Sequence, residues 1–220
     1  DLYLAAIARN AGVKVISVDY PLAPEHELTE ILDVGAAALQ AIVAAHHGRP
    51  VCVGGESAGG HVALSSLLRL RTRPDLLAAI SGAVLCYPIT DLSMTPSQRS
   101  WGKDFLNLST EWLEWFYALA LPGHSRDQRG HSDLSPLYAD LSGLPPTLLC
   151  VGELDPLLDD SLFLERRLVT AGNECRLRVL PSAPHGFNGQ STQMAAACNG
   201  LIQAYVRERV AGLDEADLNP

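Results

Sequence analysis

The sequence predicts an α/β fold in which a mostly parallel sheet carries helices on both faces. Short β-branched, apolar runs alternate with longer helical stretches along the 220 residues, and this alternation is typical of βαβ units. Right-handed crossovers then place helices on both sides of the sheet. The length suits one domain over residues 1–220, and we find no linker or internal repeat.

Five strands and five helices account for most of the chain. Each strand is a buried-type apolar run, and each helix is longer and bounded by capping or breaking residues such as Gly172. The predicted strands are 13–19, 51–55, 79–86, 147–151 and 176–180. The predicted helices are 28–47, 58–71, 109–121, 157–171 and 192–210.

Composition excludes several classes of function. The net charge of −9 argues against a nucleic-acid partner, which needs a basic face. No stretch reaches the ~18 consecutive apolar residues of a membrane span, so we expect no membrane partner. The five cysteines are odd in number and none has zinc-site spacing. They predict no metal site, and free thiols in a reducing compartment, here the cytoplasm.

One segment, 87–146, interrupts the alternation between the third and fourth strands. It contains all three tryptophans, and its helix is predicted to begin at the N-cap Ser109. An insertion this long at one end of a sheet is often functional. We interpret it as part of a substrate pocket; the alternative is that its aromatic residues only seal the helix to the core.

The strongest local motif is Gly55-Glu56-Ser57-Ala58-Gly59, followed by Gly60. It fits the G-x-S-x-G nucleophile elbow, a sharp strand-to-helix turn with a strained serine. Side chains two residues before and after the serine should collide, which explains both glycines. The elbow residues Gly55, Glu56, Gly59 and Gly60 are supports, and the Ala58 N–H is a predicted oxyanion donor at a helix N-terminus.

A serine hydroxyl needs a base, and seven histidines compete for that role. His185 follows the last strand and therefore lies at the same sheet end as Ser57, so it is the predicted general base. His61 lies one turn past Ser57, but it should point along its own helix and is interpreted as structural. The others are His26, His46, His47, His124 and His131.

The base needs a carboxylate to orient it and to stabilise the imidazolium. Asp155 follows the fourth strand and is the predicted acid, with Asp91 after the third strand as its rival. Less favoured candidates are Glu153, Asp159 and Asp160. The order Ser57, Asp155, His185 is the order of α/β hydrolases.

Four motifs in order resemble the hormone-sensitive-lipase-like family of carboxylesterases. They are Asp19-Tyr20 with Leu22-Ala23-Pro24-Glu25, the Gly54–Gly60 elbow, Asp155-Pro156-Leu157, and His185-Gly186-Phe187. The resemblance implies an α/β-hydrolase fold, a short-chain acyl ester as substrate and no cofactor. It also implies homodimers that pair through the edge of the last strand, 176–180.

Two features depart from that family. Pro21 replaces the arginine that follows Asp-Tyr, and none of the residues before Asp19 fits the family's H-G-G-G oxyanion loop. We therefore interpret the sequence as an α/β-hydrolase fold that lacks the first strands and the N-terminal cap of the family.

The predicted function is a serine carboxylesterase that forms an acyl-enzyme through Ser57, His185 and Asp155. The alternatives are an inactive or small-molecule-binding member of the same fold, and a serine peptidase or amidase.

Overall fold

The α/β prediction is confirmed in a computed structural model that describes residues 2–46, 48–103 and 106–210. Four strands form one parallel sheet in the order β1-β2-β3-β4, so β1 and β4 are its edges. The strands are β1 (Val51–Glu56), β2 (Ile80–Cys86), β3 (Thr147–Leu154) and β4 (Cys175–Pro184).

The helices surround this sheet, and the five predicted ones are present within a few residues at each end. Short 3₁₀ turns cover Pro136–Tyr138 and Phe187–Gly189. The helices are α1 (Leu2–Ala11), α2 (Leu28–Ala45), α3 (Ala58–Leu70), α4 (Pro74–Leu77), α5 (Pro96–Ser100), α6 (Thr110–Ala120), α7 (Arg126–Arg129), α8 (Leu158–Thr170) and α9 (Gln193–Val210).

Alternating side chains of the central strands enter two different cores. Leu85 and Leu149 pack in the core that contains residues of α3 and α8. Val84 and Leu148 pack in a second core with residues of α9, against which α1 also lies. Because both faces are covered, the central strands β2 and β3 are apolar at most positions, as expected of a parallel sheet, whereas the edge strand β4 carries Arg176 and Arg178.

The predicted strand 13–19 does not form, which is a correction to the sequence analysis. Residues 13–20 have no regular secondary structure, and all of them except Asp19 line a cleft of about 1170 Å³ together with β1. A strand requires a neighbour to take its backbone hydrogen bonds. No described strand lies on this side of β1, so the β-branched run has no strand to pair with.

Helix α2 is the one helix of the described residues that is long and apolar enough to cross a bilayer. Core helices of globular proteins meet the same criterion, and α2 packs on α3. Its buried residues include Leu32, Leu39 and Val43.

Candidate active site

The turn between β1 and α3 holds Ser57 in a strained conformation. Its φ is +53°, a region that L-residues other than Asn and Asp rarely adopt, as the elbow motif predicts. The Ser57 N–H donates to the Cys86 carbonyl at 3.0 Å, which ties the turn to the end of β2.

Two of the three elbow glycines are required by close packing, and the third is not. A Cβ on Gly55 would lie 2.2 Å from the Gly59 carbonyl oxygen, and one on Gly60 would lie 2.8 Å from the Pro88 Cβ. A Cβ on Gly59 would meet only the Tyr20 hydroxyl, at an ordinary 3.7 Å. The prediction that steric collision requires Gly59 is therefore wrong for the described residues, because Gly59 faces the cleft.

Three predicted side chains meet at the carboxyl ends of β1, β3 and β4. His185 Nε2 lies 3.0 Å from Ser57 Oγ, and His185 Nδ1 lies 2.9 Å from Asp155 Oδ2. Asp155 is fully buried, and the His185 side chain is 12% exposed. With Nδ1 protonated toward the carboxylate, Nε2 is free to accept the serine proton.

A close approach of β3 and β4 brings the acid and the base together. A Cβ on Gly152 would lie 2.1 Å from the Ala183 carbonyl oxygen, so only glycine fits there. The ladder is irregular between Gly152 and Leu154, directly before the acid. The second oxygen of Asp155, Oδ1, accepts from the Leu157 N–H at 2.8 Å, which fixes the carboxylate plane.

The rival carboxylates are engaged elsewhere. Asp91 accepts from Ser93 and from the Tyr138 hydroxyl, and Glu153 accepts from the Ser182 N–H. Asp159 accepts from the Ser97 N–H at 2.7 Å. The buried Asp160 accepts from backbone and side-chain donors of segment 90–98. Burial raises the pKa of Asp160 to about 6.

His61 has the structural environment that the sequence predicts. Its Nδ1 lies 3.1 Å from the Ile89 carbonyl, and burial lowers its pKa to about 4, so the ring is neutral at physiological pH. His26 lies 2.9 Å from Glu30 on α2, and His46 contacts the Ile42 carbonyl at the end of that helix. The two loop histidines, His124 and His131, contact Pro122 and Asp133, and His47 lies outside the described residues.

The predicted oxyanion donor, Ala58, is the first residue of α3. The first N–H groups of a helix have no acceptor within it, and they carry the positive end of its dipole. The Ala58 N–H therefore offers one donor beside Ser57.

The insertion 87–146 touches the site at several points, among them the Tyr87 ring beside the His185 ring and the Ile89 N–H, which donates to the Ser57 carbonyl at 3.3 Å. Asn107 Nδ2 donates to the His185 carbonyl at 2.9 Å. On α6, Leu113 and Tyr117 are buried in the core, whereas Trp112, Trp115 and Phe116 are 42–52% exposed and contact one another. The alternative that all aromatic residues of this helix seal it to the core is therefore wrong for these three.

Sequence reasoning missed two polar residues beside the base. Tyr87 follows β2 directly, and its ring lies edge-on to the His185 ring at 4.6 Å. Asn188 lies three residues after His185, and its side chain contacts Glu56 and Tyr87. Only the proximity of Asn188 to His185 along the chain could have drawn attention to it.

The described residues contain no group of three or more His, Cys, Asp or Glu side chains arranged to hold a metal. All five cysteines are free, and Cys86, Cys150 and Cys198 are buried.

Comparison with known proteins gives consistent findings. Residues 1–189 match a family described as having the alpha/beta hydrolase fold. An esterase of Acinetobacter venetianus is 39% identical over 159 residues, which are 70% of this chain and 50% of that protein. An ethyl acetate hydrolase of Pseudomonas putida is 33% identical over 205 residues, which are 89% of this chain and 63% of that protein.

A solved structure described as a hormone-sensitive lipase from a metagenome library superposes with a TM-score of 0.85. It is 31% identical in sequence, and the match covers 96% of this chain and 71% of that one. The chain thus spans only 50–63% of the two relatives named above.

Proposed function

We propose that this chain, which belongs to the α/β-hydrolase family in its hormone-sensitive-lipase-like branch, carries the catalytic triad of a serine carboxylesterase. The observation that supports this most is the continuous hydrogen-bonded series Ser57–His185–Asp155, with distances of 3.0 and 2.9 Å. The names of the relatives point to the same reaction class.

In the proposed mechanism, Ser57 Oγ attacks the ester carbonyl carbon while His185 Nε2 takes its proton. Asp155 holds the imidazolium, and the Ala58 N–H donates to the developing oxyanion. His185 then returns the proton to the departing alkoxide, which leaves an acyl-serine. Water, deprotonated by the same imidazole, attacks the acyl-serine and releases the carboxylic acid.

Further oxyanion donors are needed beyond Ala58, and the cleft beside β1 is where we propose that they enter. The cleft is lined by residues 12–18, by β1 with Gly55, and by Gly59 at the start of α3. A backbone segment seated there, of the H-G-G-G kind, would bring its N–H groups next to Ala58. Because Gly59 has no side chain, it would leave room for this segment to approach Ala58.

The proposed substrate is a short-chain acyl ester, with segment 87–146 forming part of its pocket. The Asn107–His185 contact puts this segment beside the base. The proposal needs no cofactor. The exposed edge of β4, where Val179 is 41% exposed, is the proposed contact of a homodimer, and the free thiols support a cytoplasmic location.

The test compares a short p-nitrophenyl ester with a peptide amide, using the wild type, Ser57→Ala and the control Ser100→Ala. Ser100 lies on α5, and its hydroxyl contacts only the Pro96 carbonyl among the bonds described. We expect ester hydrolysis that Ser57→Ala abolishes and Ser100→Ala leaves unchanged. Faster amide than ester hydrolysis would favour a peptidase, and failure of a fluorophosphonate to label Ser57 would favour a non-catalytic binding protein.

A further inference from the structure

Behind the base, one buried amide joins the ends of three strands. Asn188 lies in the 3₁₀ turn after β4, Glu56 is the last residue of β1, and Tyr87 directly follows β2. Asn188 and Tyr87 are each 3% exposed. None of the three belongs to the triad, so their arrangement needs its own explanation.

The hydrogen bonds of Asn188 use both ends of its amide. Asn188 Nδ2 donates to Glu56 Oε1, and the Tyr87 hydroxyl donates to Asn188 Oδ1. The same Nδ2 lies 3.2 Å from the Tyr3 hydroxyl. The Asn188 carbonyl accepts from Asn199 Nδ2 at 2.9 Å, which anchors the turn to α9.

Tyr87 connects this amide to the imidazole. Its ring lies edge-on to the His185 ring, with centroids 4.6 Å apart and an interplanar angle of 63°. Its φ is +38°, and its N–H donates to the Cys150 carbonyl at 2.6 Å, so its backbone is held independently of the base. The ring therefore forms a fixed wall against one side of the imidazole.

The charge distribution favours the same hydrogen-bond directions. Burial raises the pKa of Tyr87, and the neighbouring Glu56 charge raises it further, so the hydroxyl stays protonated as a donor. Burial likewise raises the pKa of Tyr3, with smaller contributions from Cys86 and Glu56. Asn188 is the group that can donate to the carboxylate and accept from the phenol at once.

We propose that Asn188 is a positioning residue which, through its bonds to Glu56 and Tyr87, holds His185 at the distance at which it bridges Ser57 and Asp155. The link matters because Glu56 is adjacent to the nucleophile and Asn188 is three residues from the base. A shift of one strand end against another would otherwise change the Ser57–His185 distance directly. The effect on rate rests on the proposed function, whereas the effect on geometry does not.

The decisive variant is Asn188→Asp, which keeps the size of the side chain and places a second carboxylate against Glu56. Two carboxylates in one buried site raise the pKa of one of them and repel when both are ionised, so above that raised pKa the turn should move and the imidazole with it. We expect labelling of Ser57 by a fluorophosphonate to slow by about 10²-fold, the effect of misplacement by about 1 Å. In ester assays the loss should fall on kcat rather than on KM.

The double variant Asn188→Asp with Glu56→Gln exchanges donor and acceptor. The glutamine amide donates to the new aspartate, which still accepts from Tyr87, so we expect most of the labelling rate to return. The matched control is Asn173→Asp, which loses amide bonds to the carbonyls of Leu141 and Leu168, contacts that none of the triad residues makes. It should label at the wild-type rate.

A proton NMR measurement separates this proposal from the proposed function. The downfield resonance of the proton between His185 Nδ1 and Asp155 should be lost or shifted in Asn188→Asp, restored in the double variant and unchanged in Asn173→Asp. A wild type that shows the resonance but is not labelled contradicts the proposed function only. A labelled wild type with the same resonance and labelling rate in Asn188→Asp overturns the positioning role.

If Asn188→Asp does not fold, Tyr87→Phe provides the second test. It keeps the ring beside His185 and removes the hydroxyl, which donates to Asn188 and also interacts with the Glu56 carboxylate. We expect slower labelling, by roughly tenfold, and a shifted downfield resonance. Unchanged labelling and an unchanged downfield resonance in Tyr87→Phe would also overturn the proposal.

Discussion

Strand β1 has a paired strand on one side and none among the described residues on the other. On one side, β2, β3 and β4 follow as parallel neighbours and place Tyr87, Asp155 and His185 at the edge where Ser57 lies. On the other side, β1 faces a cleft and the segment 13–20, which forms no ladder with it. The contacts among Ser57, His185 and Asp155 therefore need only the paired side, whereas the proposed stabilisation of an oxyanion would draw on both.

The largest expected effect comes from replacing the acid, Asp155, on the paired side of β1. Asp155→Asn should lower kcat by about 10⁴-fold, because the imidazole loses the group that fixes its tautomer and stabilises its charge. Asp91→Asn should affect turnover much less, since Asp91 bonds to Ser93 and Tyr138 instead. Steady-state ester hydrolysis by both variants measures this. If Asp91→Asn proves the more damaging, the acid is misassigned.

The open side should limit the rate of residues 1–220. One oxyanion donor is typically worth ~10²–10³ in rate, and Ala58 is the one donor that we can assign. Fusing the H-G-G-G strand of a relative ahead of residue 1 should raise kcat by at least about 10²-fold.

The unpaired side of β1 should also lower the solubility of residues 1–220. An unpaired strand edge promotes pairing with other chains, so residues 1–220 alone should aggregate more than the fusion does. Size-exclusion chromatography beside the ester assay measures both effects. If residues 1–220 alone form a soluble monomer that turns over the ester as fast as the fusion, the expected difference between the two sides of β1 is contradicted.

Two buried groups should give the stability opposite pH dependences. The folded state holds the pKa of His61 at about 4, below its ordinary 6.5, so acid favours the unfolded state across that interval. Stability due to His61 should therefore fall by about 3 kcal/mol as the pH drops from 6.5 to 4. Removing the titrating ring in His61→Gln should flatten this acid loss in urea unfolding measured at several pH values.

Asp160 provides the matched comparison. Its pKa of about 6 in the folded state exceeds the ordinary 3.8, so the folded state binds its proton more tightly and gains stability as the pH falls from 6 to 4. Removing this group in Asp160→Asn should steepen the acid loss rather than flatten it. Equal slopes in the wild type and both variants would contradict the two assignments.

The smallest expected effect compares two glycines of the elbow. Gly55→Ala should destabilise by roughly 1–3 kcal/mol or more, because its Cβ would overlap the Gly59 backbone. Gly59→Ala should change the stability of this chain by less than about 0.5 kcal/mol, since its Cβ would enter the cleft. Thermal unfolding of both variants tests this. A large loss in Gly59→Ala would mean that the cleft side is as closely packed as the paired side.

The local sequence predicts those parts of the site that depend on a few neighbouring residues. The elbow motif specifies a strained turn through the backbone itself, and Ser57 has the positive φ that it requires. The ends of parallel strands lie at one edge of a sheet, which is why Asp155 and His185 could be matched with Ser57 before any coordinates were known. Their catalytic roles remain predictions.

Only the tertiary structure decided what depends on elements distant in sequence. A β-branched run such as 13–19 becomes a strand only beside a partner, and here β1 lies across a cleft from it. The helical pattern of α6 does not say that Trp112 and Trp115 face outward while Leu113 enters the core. The bond of Asn188 to Glu56 joins residues 132 positions apart, and such contacts arise from packing, which no local motif encodes.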